Sequence, residues 1–196
     1  HRTEWVVHGF NQEHHSPTDG DGNPDHLLPP APLPDVAETR RDWLDYVHSV
    51  ERLDRYYGDI LNALEEAGLA DNTIVLATTD HGIAFPMNKC SLTAHGTGVF
   101  QILKAPGKIS AGRVTDALVS HLDVYPTLCE LLGLDQPDWL QGSSLLPLLN
   151  GEKETLHENI FAEVTFHAAF EPKRSVRSSR YNYIRNFAAP HTPVKP

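Results

Sequence analysis

A chain of 196 residues is long enough to bury one substantial core or two small ones. Its composition is that of an ordinary globular protein, 40% hydrophobic and 21% charged, and no apolar run approaches the roughly 20 residues that cross a bilayer. Sixteen Lys and Arg against 26 Asp and Glu leave a net charge of −10, a balance that repels polyanions and excludes nucleic acid as an expected partner.

The first element in chain order is Trp5 to Phe10, a short β-branched and aromatic run that reads as a strand ending in the polar loop Asn11-Gln12-Glu13-His14-His15. Residues 16–35 hold six prolines and are expected to form an irregular surface loop. Asp35 with Glu38 three positions on is a capping-box variant. Apolar residues then recur at Trp43, Val47, Val50, Leu53, Tyr57, Ile60, Leu61 and Leu64, and Gly68 stands where a helix C-cap belongs, so the spacing predicts one amphipathic helix over 36–67. Its expected buried face carries Trp43, Val50, Leu53, Tyr57 and Leu64, packed on a sheet.

Residues 73–79, Thr-Ile-Val-Leu-Ala-Thr-Thr, form a continuous β-prone run, as in an inner strand of a parallel or mixed sheet. That run stops at Asp80-His81-Gly82, and ligands in open α/β sheets bind beyond the carboxyl ends of strands. A further strand is expected at Val99 to Leu103, closed by Pro106-Gly107. Helices are expected from Asp123 to Leu132, with Pro126 in the first turn, and from Ser143 to Leu149, closed by Asn150-Gly151. Strands follow at Ile160 to Phe166, Arg174 to Val176 and Tyr181 to Arg185, with a tight turn from Arg177 to Arg180. The expected division lies at 152/153, between an α/β layer and a smaller antiparallel sheet.

Asp80 and His81 at a sheet mouth offer oxygen and nitrogen ligands to a divalent ion, while Gly82 lets the backbone turn away. Taken as a dipeptide, a capping aspartate beside a surface histidine is the commoner arrangement. Lys89, later in the same loop, can place a point charge against an anion, and His14 or His15 can donate to that anion or protonate a leaving group. His8, His48, His95, His121, His157, His167 and His191 have no metal-ligand spacing and read as structural, although His95 and His167 fall on segments able to line a cleft. Cys90 has no adjacent base and reads as a half-buried thiol.

Several segments share an order with a known family: the long helix with Leu53-Asp54 and Ile60-Leu61, Leu69 to Val75, and Thr79-Asp80-His81-Gly82-Ile83-Ala84-Phe85-Pro86. Downstream come Leu122-Asp123-Val124-Tyr125-Pro126-Thr127-Leu128, Gly142 to Pro147 and Arg174-Ser175-Val176-Arg177. Together they resemble the later half of a sulfatase of the alkaline phosphatase-like superfamily, in the branch of N-sulfoglucosamine sulfohydrolase and its bacterial relatives. The resemblance implies an α/β fold with a largely parallel sheet flanked by helices, present in part, followed by a small antiparallel sheet. It implies hydrolysis of a sulfuric ester or sulfamate, on a sulfated sugar, with a calcium ion held in part by Asp80 and His81. Lys89 and His14 would contact the sulfate, with His15 as the competitor of His14.

The family's formylglycine nucleophile arises in a Cys/Ser-x-Pro-x-Arg run, and none occurs here, since Leu92 and Leu131 follow Cys90 and Cys129 where Pro is needed. The start, His1-Arg2-Thr3, has neither an initiator Met nor a signal-peptide core and reads as the interior of a longer chain, whose preceding portion would carry the nucleophile and the remaining metal ligands. The chain alone is therefore expected to lack turnover. A phosphoric or phosphonic ester hydrolase of the same superfamily and an inactive sulfatase-like fragment are the alternatives. Cysteine usage leaves the compartment open.

Overall fold

A computed structural model of the chain describes residues 22–167 and 170–188. The expected first strand and the loop carrying His14 and His15 lie outside these residues. The chain forms two compact units, one ending at Ala70 and one starting at Asp71.

In the first unit, helix α1 spans Ala37–Glu66. Its N-cap is Val36, which makes no side-chain bond, so the expected cap at Asp35 is corrected. Asp35 instead takes a two-point contact from Arg40, whose Nε and Nη2 donate to the two carboxylate oxygens. A fork of this kind competes directly with the N-cap role of the same oxygens. Arg40 also donates from Nη1 to the Asp25 carbonyl at 2.8 Å, which holds the 3₁₀ turn Pro24–His26 against the helix. At the other end Gly68 adopts φ +69°, and the Leu69 N–H closes on Leu64 O at 2.9 Å, a Schellman-type stop that a Cβ would strain.

The expected buried face of α1 is only partly realised. Trp43, Tyr57 and Leu64 are half-buried, whereas Val50 and Leu53 are exposed. A 30-residue helix is about 45 Å long, and a short proline-rich turn cannot cover an apolar stripe of that length. His48 is the buried residue of the helix.

The second unit opens with strand β1, Val75–Thr78, paired with β2, Gln101–Lys104. The pairing is antiparallel, Val75 opposite Lys104 and Thr78 opposite Gln101, an arrangement that a mixed sheet accommodates. β1 is half-buried along its whole length. A one-turn helix α2, Ala94–Thr97, lies between the two strands in sequence.

Beyond β2, the Ser120 side chain opens a 3₁₀ turn, His121–Asp123, that runs into α3, Val124–Leu132. Pro126 sits in its first turn and Gly133 ends it at φ +67°. The expected helix over Ser143 to Leu149 shortens to α4, Leu146–Leu149, because Ser143 and Leu145 give their amides to partners on α3 and its cap. The buried apolar residues include Phe85, Leu92, Ala105, Cys129, Leu131, Leu145 and Leu148, all within this unit.

The C-terminal strands form one antiparallel sheet in the order β3-β4-β5: Ile160–Phe166, Phe170–Arg177 and Asn182–Asn186. β3 keeps its expected bounds, and β4 extends four residues earlier than the apolar pattern indicated. A register shift between Val164 and Phe166 bends the β3 edge. No described helix is long and apolar enough to cross a membrane.

Candidate active-site loop

β1 ends at Thr78, and the next four residues turn away from the sheet as Thr79-Asp80-His81-Gly82. Thr78 anchors this exit. Its hydroxyl donates to the Phe100 carbonyl at 2.7 Å, and its lone pair faces Nε2 of His121 at 3.0 Å, so the imidazole donates there. His121, read from sequence as structural, thus braces the strand end from which Asp80 projects.

The Asp80 side chain is 81% exposed and that of His81 27%, with His81 Nε2 3.6 Å from Asp80 Oδ1. His81 Nδ1 lies 2.6 Å from the carbonyl of Gly82. A carbonyl only accepts, so Nδ1 carries the proton and, in the neutral ring, the Nε2 lone pair turns toward the carboxylate. Two ligands at right angles around an ion, with bonds of about 2.5 Å, lie about 3.5 Å apart. The spacing of Asp80 and His81 therefore fits two adjacent positions of one coordination sphere, with an oxygen donor suited to calcium and a nitrogen donor less so. Among the described residues no group of three or more His, Cys, Asp or Glu side chains comes together to hold a metal.

The loop is folded back on itself over Gly82 to Ser91. Lys89 N–H donates to Ile83 O at 3.1 Å, which returns Lys89 to the beginning of the loop, where its side chain is half-buried. Asn88, fully buried, donates from its amide to Pro86 O at 2.8 Å and from its backbone to Phe85 O at 3.1 Å. Met87 and Cys90, flanking this pair, sit at φ +65° and +64°, a left-handed geometry unusual for side chains of their size. Gly82 makes the closest approach: its N–H donates to Gly96 O at 2.9 Å, and a Cβ on Gly82 would lie 1.8 Å from the His95 carbonyl oxygen. Only glycine fits there. Sequence marked Gly82 as a turn, but its role is contact with α2, which no local pattern reveals.

A second polar centre escaped the sequence reading. Asp123 is fully buried, and its Oδ2 accepts from Ser120 N–H at 2.8 Å, closing a capping box. Oδ1 accepts from Ser143 N–H at 2.8 Å, and His157 Nε2 lies 3.0 and 2.9 Å from the two oxygens. Below it, the Thr127 hydroxyl donates to Asp123 O and accepts from Leu145 N–H at 2.8 Å. The visible signal was Ser120-x-x-Asp123, a start pattern three residues ahead of the helix proper. His157 keeps the structural role expected of it.

A family model described as sulfatase matches residues 8–134, and one described as N-sulphoglucosamine sulphohydrolase, C-terminal, matches residues 91–192. An ulvan-active sulfatase of Formosa agariphila is 31% identical over 161 residues, covering 82% of this chain and 26% of that protein. Human N-sulphoglucosamine sulphohydrolase is 30% identical over 172 residues, covering 82% of this chain and 34% of its own. Among solved structures, a 2-O GAG sulfatase superposes with a TM-score of 0.67 at 29% identity, over 76% of this chain and 34% of that one. A phosphonate monoester hydrolase of Agrobacterium radiobacter gives 0.67 at 26% identity, over 75% and 33%. The chain thus spans about a quarter to a third of the length of these relatives. Its fold is the α/β fold of alkaline phosphatase-like enzymes with the small antiparallel sheet at its C-terminal end. With the first family model alone covering well over half of the residues, the chain belongs to the sulfatase family.

Proposed function

We propose that the protein to which these residues belong hydrolyses a sulfuric ester or sulfamate on a sulfated sugar, with calcium as its metal. The observation that carries this reading is the pairing of Asp80 and His81, 3.6 Å apart at the exit of β1, in a chain of the sulfatase family. Relatives described as acting on ulvan and on N-sulphoglucosamine support a carbohydrate substrate. Asp80 and His81 would hold the ion, which when bound supplies positive charge against the oxygens of the transferring group. Lys89, whose backbone is bonded to Ile83 O in the same loop, would add a point charge that orients the anion. His14 donates to the sulfate or to the departing oxygen, with His15 as its competitor. The nucleophile, a formylglycine in this reading, is supplied by a segment outside the 196 residues, in which no Cys/Ser-x-Pro-x-Arg run occurs. Residues 1–152 would then belong to the catalytic layer and 153–196 to the smaller sheet.

A phosphonate or phosphate ester hydrolase is the second reading, favoured by the likeness to the Agrobacterium enzyme. Both are tested in the intact parent protein, assayed with matched aryl sulfate and aryl phosphonate esters. The first reading expects turnover of the sulfate ester that Asp80→Ala abolishes together with calcium binding, and that Lys89→Ala weakens through handling of the anion. Preferential turnover of the phosphonate would favour the second. Unchanged calcium affinity in the Asp80 variant would remove the metal role.

A further inference from the structure

The loop that carries Lys89 is built from two consecutive turns that share one residue. Asn88 N–H donates to Phe85 O at 3.1 Å and closes Phe85-Pro86-Met87-Asn88. Ser91 N–H donates to Asn88 O at 3.0 Å and closes Asn88-Lys89-Cys90-Ser91. The third residue of each turn has a positive φ, +65° at Met87 and +64° at Cys90. That is the type II form, with side chains where glycine or asparagine is usual, and Pro86 at the second position of the first turn suits it. Lys89 holds the second position of the second turn, so its direction is inherited from the first.

Type I and type II turns differ by rotating the central peptide through roughly half a turn, and for a residue such as Met the type I form is the less strained. The Met87 side chain does not hold the strained form, because it is 75% exposed. Asn88 does: its Nδ2 donates to Pro86 O at 2.8 Å, the carbonyl of that central peptide. Asn88 is fully buried, yet its Oδ1 has no hydrogen-bond partner among the described residues. An enclosed position that served packing alone would favour an apolar side chain, since a buried acceptor without a donor is costly. The carboxamide is therefore explained by its one bond, to Pro86 O. The shared corner is seated on Gly96, where a Cβ would lie 2.4 Å from Asn88 O. The second turn is held on both sides, by Lys89 N–H donating to Ile83 O at 3.1 Å and by Asn182 Nδ2 donating to Leu92 O at 2.9 Å.

We propose that Asn88 is a positioning residue for Lys89. Its side-chain amide latches the Pro86–Met87 peptide in the type II orientation, which sets the backbone of the following turn and with it the point from which the Lys89 side chain reaches an anion. The latch is closed before substrate arrives, so the charge is placed in advance and need not be ordered during the reaction. Asn88 touches no substrate and acts only through Lys89. That Lys89 meets the oxygens of a transferring group rests on the function proposed above, whereas the latch is read from the loop itself.

The test is made on the intact parent protein, with inorganic sulfate binding and aryl sulfate turnover as readouts. Asn88→Leu keeps the branched shape, removes the donor to Pro86 O and eliminates the unpaired acceptor. It should weaken sulfate binding and raise KM severalfold, approaching the loss of about tenfold expected for Lys89→Ala, with kcat changed less and calcium affinity unchanged. In a Lys89→Ala background it should cost nothing further. Met87→Gly takes a positive φ without a latch and should restore sulfate binding to the Asn88→Leu protein. Met87→Val resists that φ from the solvent side and should reproduce the loss, which decides the matter if Asn88→Leu does not fold. Sulfate binding unmoved by these substitutions, an additive loss on top of Lys89→Ala, or no rescue by Met87→Gly would overturn the proposal. Amide exchange separates it from the hydrolase reading: Asn88→Leu should expose the Lys89 and Ser91 amides, and Met87→Gly should protect them again. That exchange pattern in a parent that turns over no aryl sulfate refutes the hydrolase reading and leaves the latch standing. Turnover by a parent whose Lys89 and Ser91 amides are unmoved by Asn88→Leu does the reverse.

Discussion

Removing the Asp123 carboxylate should be the most damaging single truncation in the second unit. In Asp123→Ala three donors lose their acceptor at once: the backbone amides of Ser120 and Ser143 and Nε2 of His157. A buried donor left unsatisfied costs about 1–3 kcal/mol, and with three donors sharing one lost acceptor a total of about 4 kcal/mol is expected. His157→Ala removes one partner at a partly solvated position and leaves both amides satisfied, so it should cost only about 1–2 kcal/mol. Asp123→Asn falls between, because whichever way the amide turns, its NH₂ confronts one of the two backbone N–H groups. Urea denaturation at constant m value gives the ranking, and amide exchange at Ser120 and Ser143 gives the cause, since both should lose protection in the Ala variant. A cost under about 1 kcal/mol for Asp123→Ala, or a larger cost for His157→Ala, would refute this assignment of the network.

Gly82→Ala should disrupt the loop, because its Cβ would meet the His95 carbonyl oxygen at 1.8 Å, an overlap beyond the 1–3 kcal/mol typical of over-packing; a variant of native stability and unchanged amide exchange at Lys89 would contradict it. The Arg40 fork holds Asp35 below the ordinary carboxylate range, chiefly through the side-chain hydrogen bond. A depressed carboxylate contributes stability that is present above its unfolded pKa of about 3.9 and lost as pH falls through the folded value. Arg40→Ala should therefore raise the Asp35 midpoint in an NMR titration and flatten the acid limb of helix stability below about pH 4, and an unmoved midpoint would argue against the fork.

What sequence could and could not show follows from range. α1 was legible to within one residue at each end because its periodicity and Gly68 are local, yet its cap was misplaced because Asp35 had a competing partner five residues on in Arg40. β3 was read to the residue, since alternation and turn signals frame it. The direction of β1 relative to β2 was not, because strand pairing is decided by contacts more than twenty residues apart. Asp80 and His81 stand adjacent in sequence, so their closeness at the exit of β1 was legible. The tautomer of His81, the brace from His121 to Thr78, and the fit of Gly82 against His95 depend on backbone atoms that no side-chain pattern encodes. Asp123 lay within a recognised motif, but its partners Ser143 and His157 are 20 and 34 residues away.

Calcium affinity puts the completeness of the site to the test. Calcium takes 6–8 ligands, mostly oxygen, and even weak extracellular sites with dissociation constants of about 0.1–1 mM surround it with several protein carboxylates or carbonyls. Asp80 and His81 supply two positions, one of them nitrogen, and Asp80 is 81% exposed, so water competes for every remaining position and screens the one carboxylate charge. No other His, Cys, Asp or Glu among the described residues joins them in a group of three. The 196-residue chain should therefore bind calcium more weakly than about 1 mM, and Asp80→Ala should abolish what binding there is. Intact parent protein should bind far more tightly if other segments provide further carboxylates. Terbium luminescence or calorimetry on both forms decides it: micromolar affinity in the 196-residue chain that survives Asp80→Ala would place the metal elsewhere, and micromolar affinity that Asp80→Ala removes would show the site to be complete without those segments.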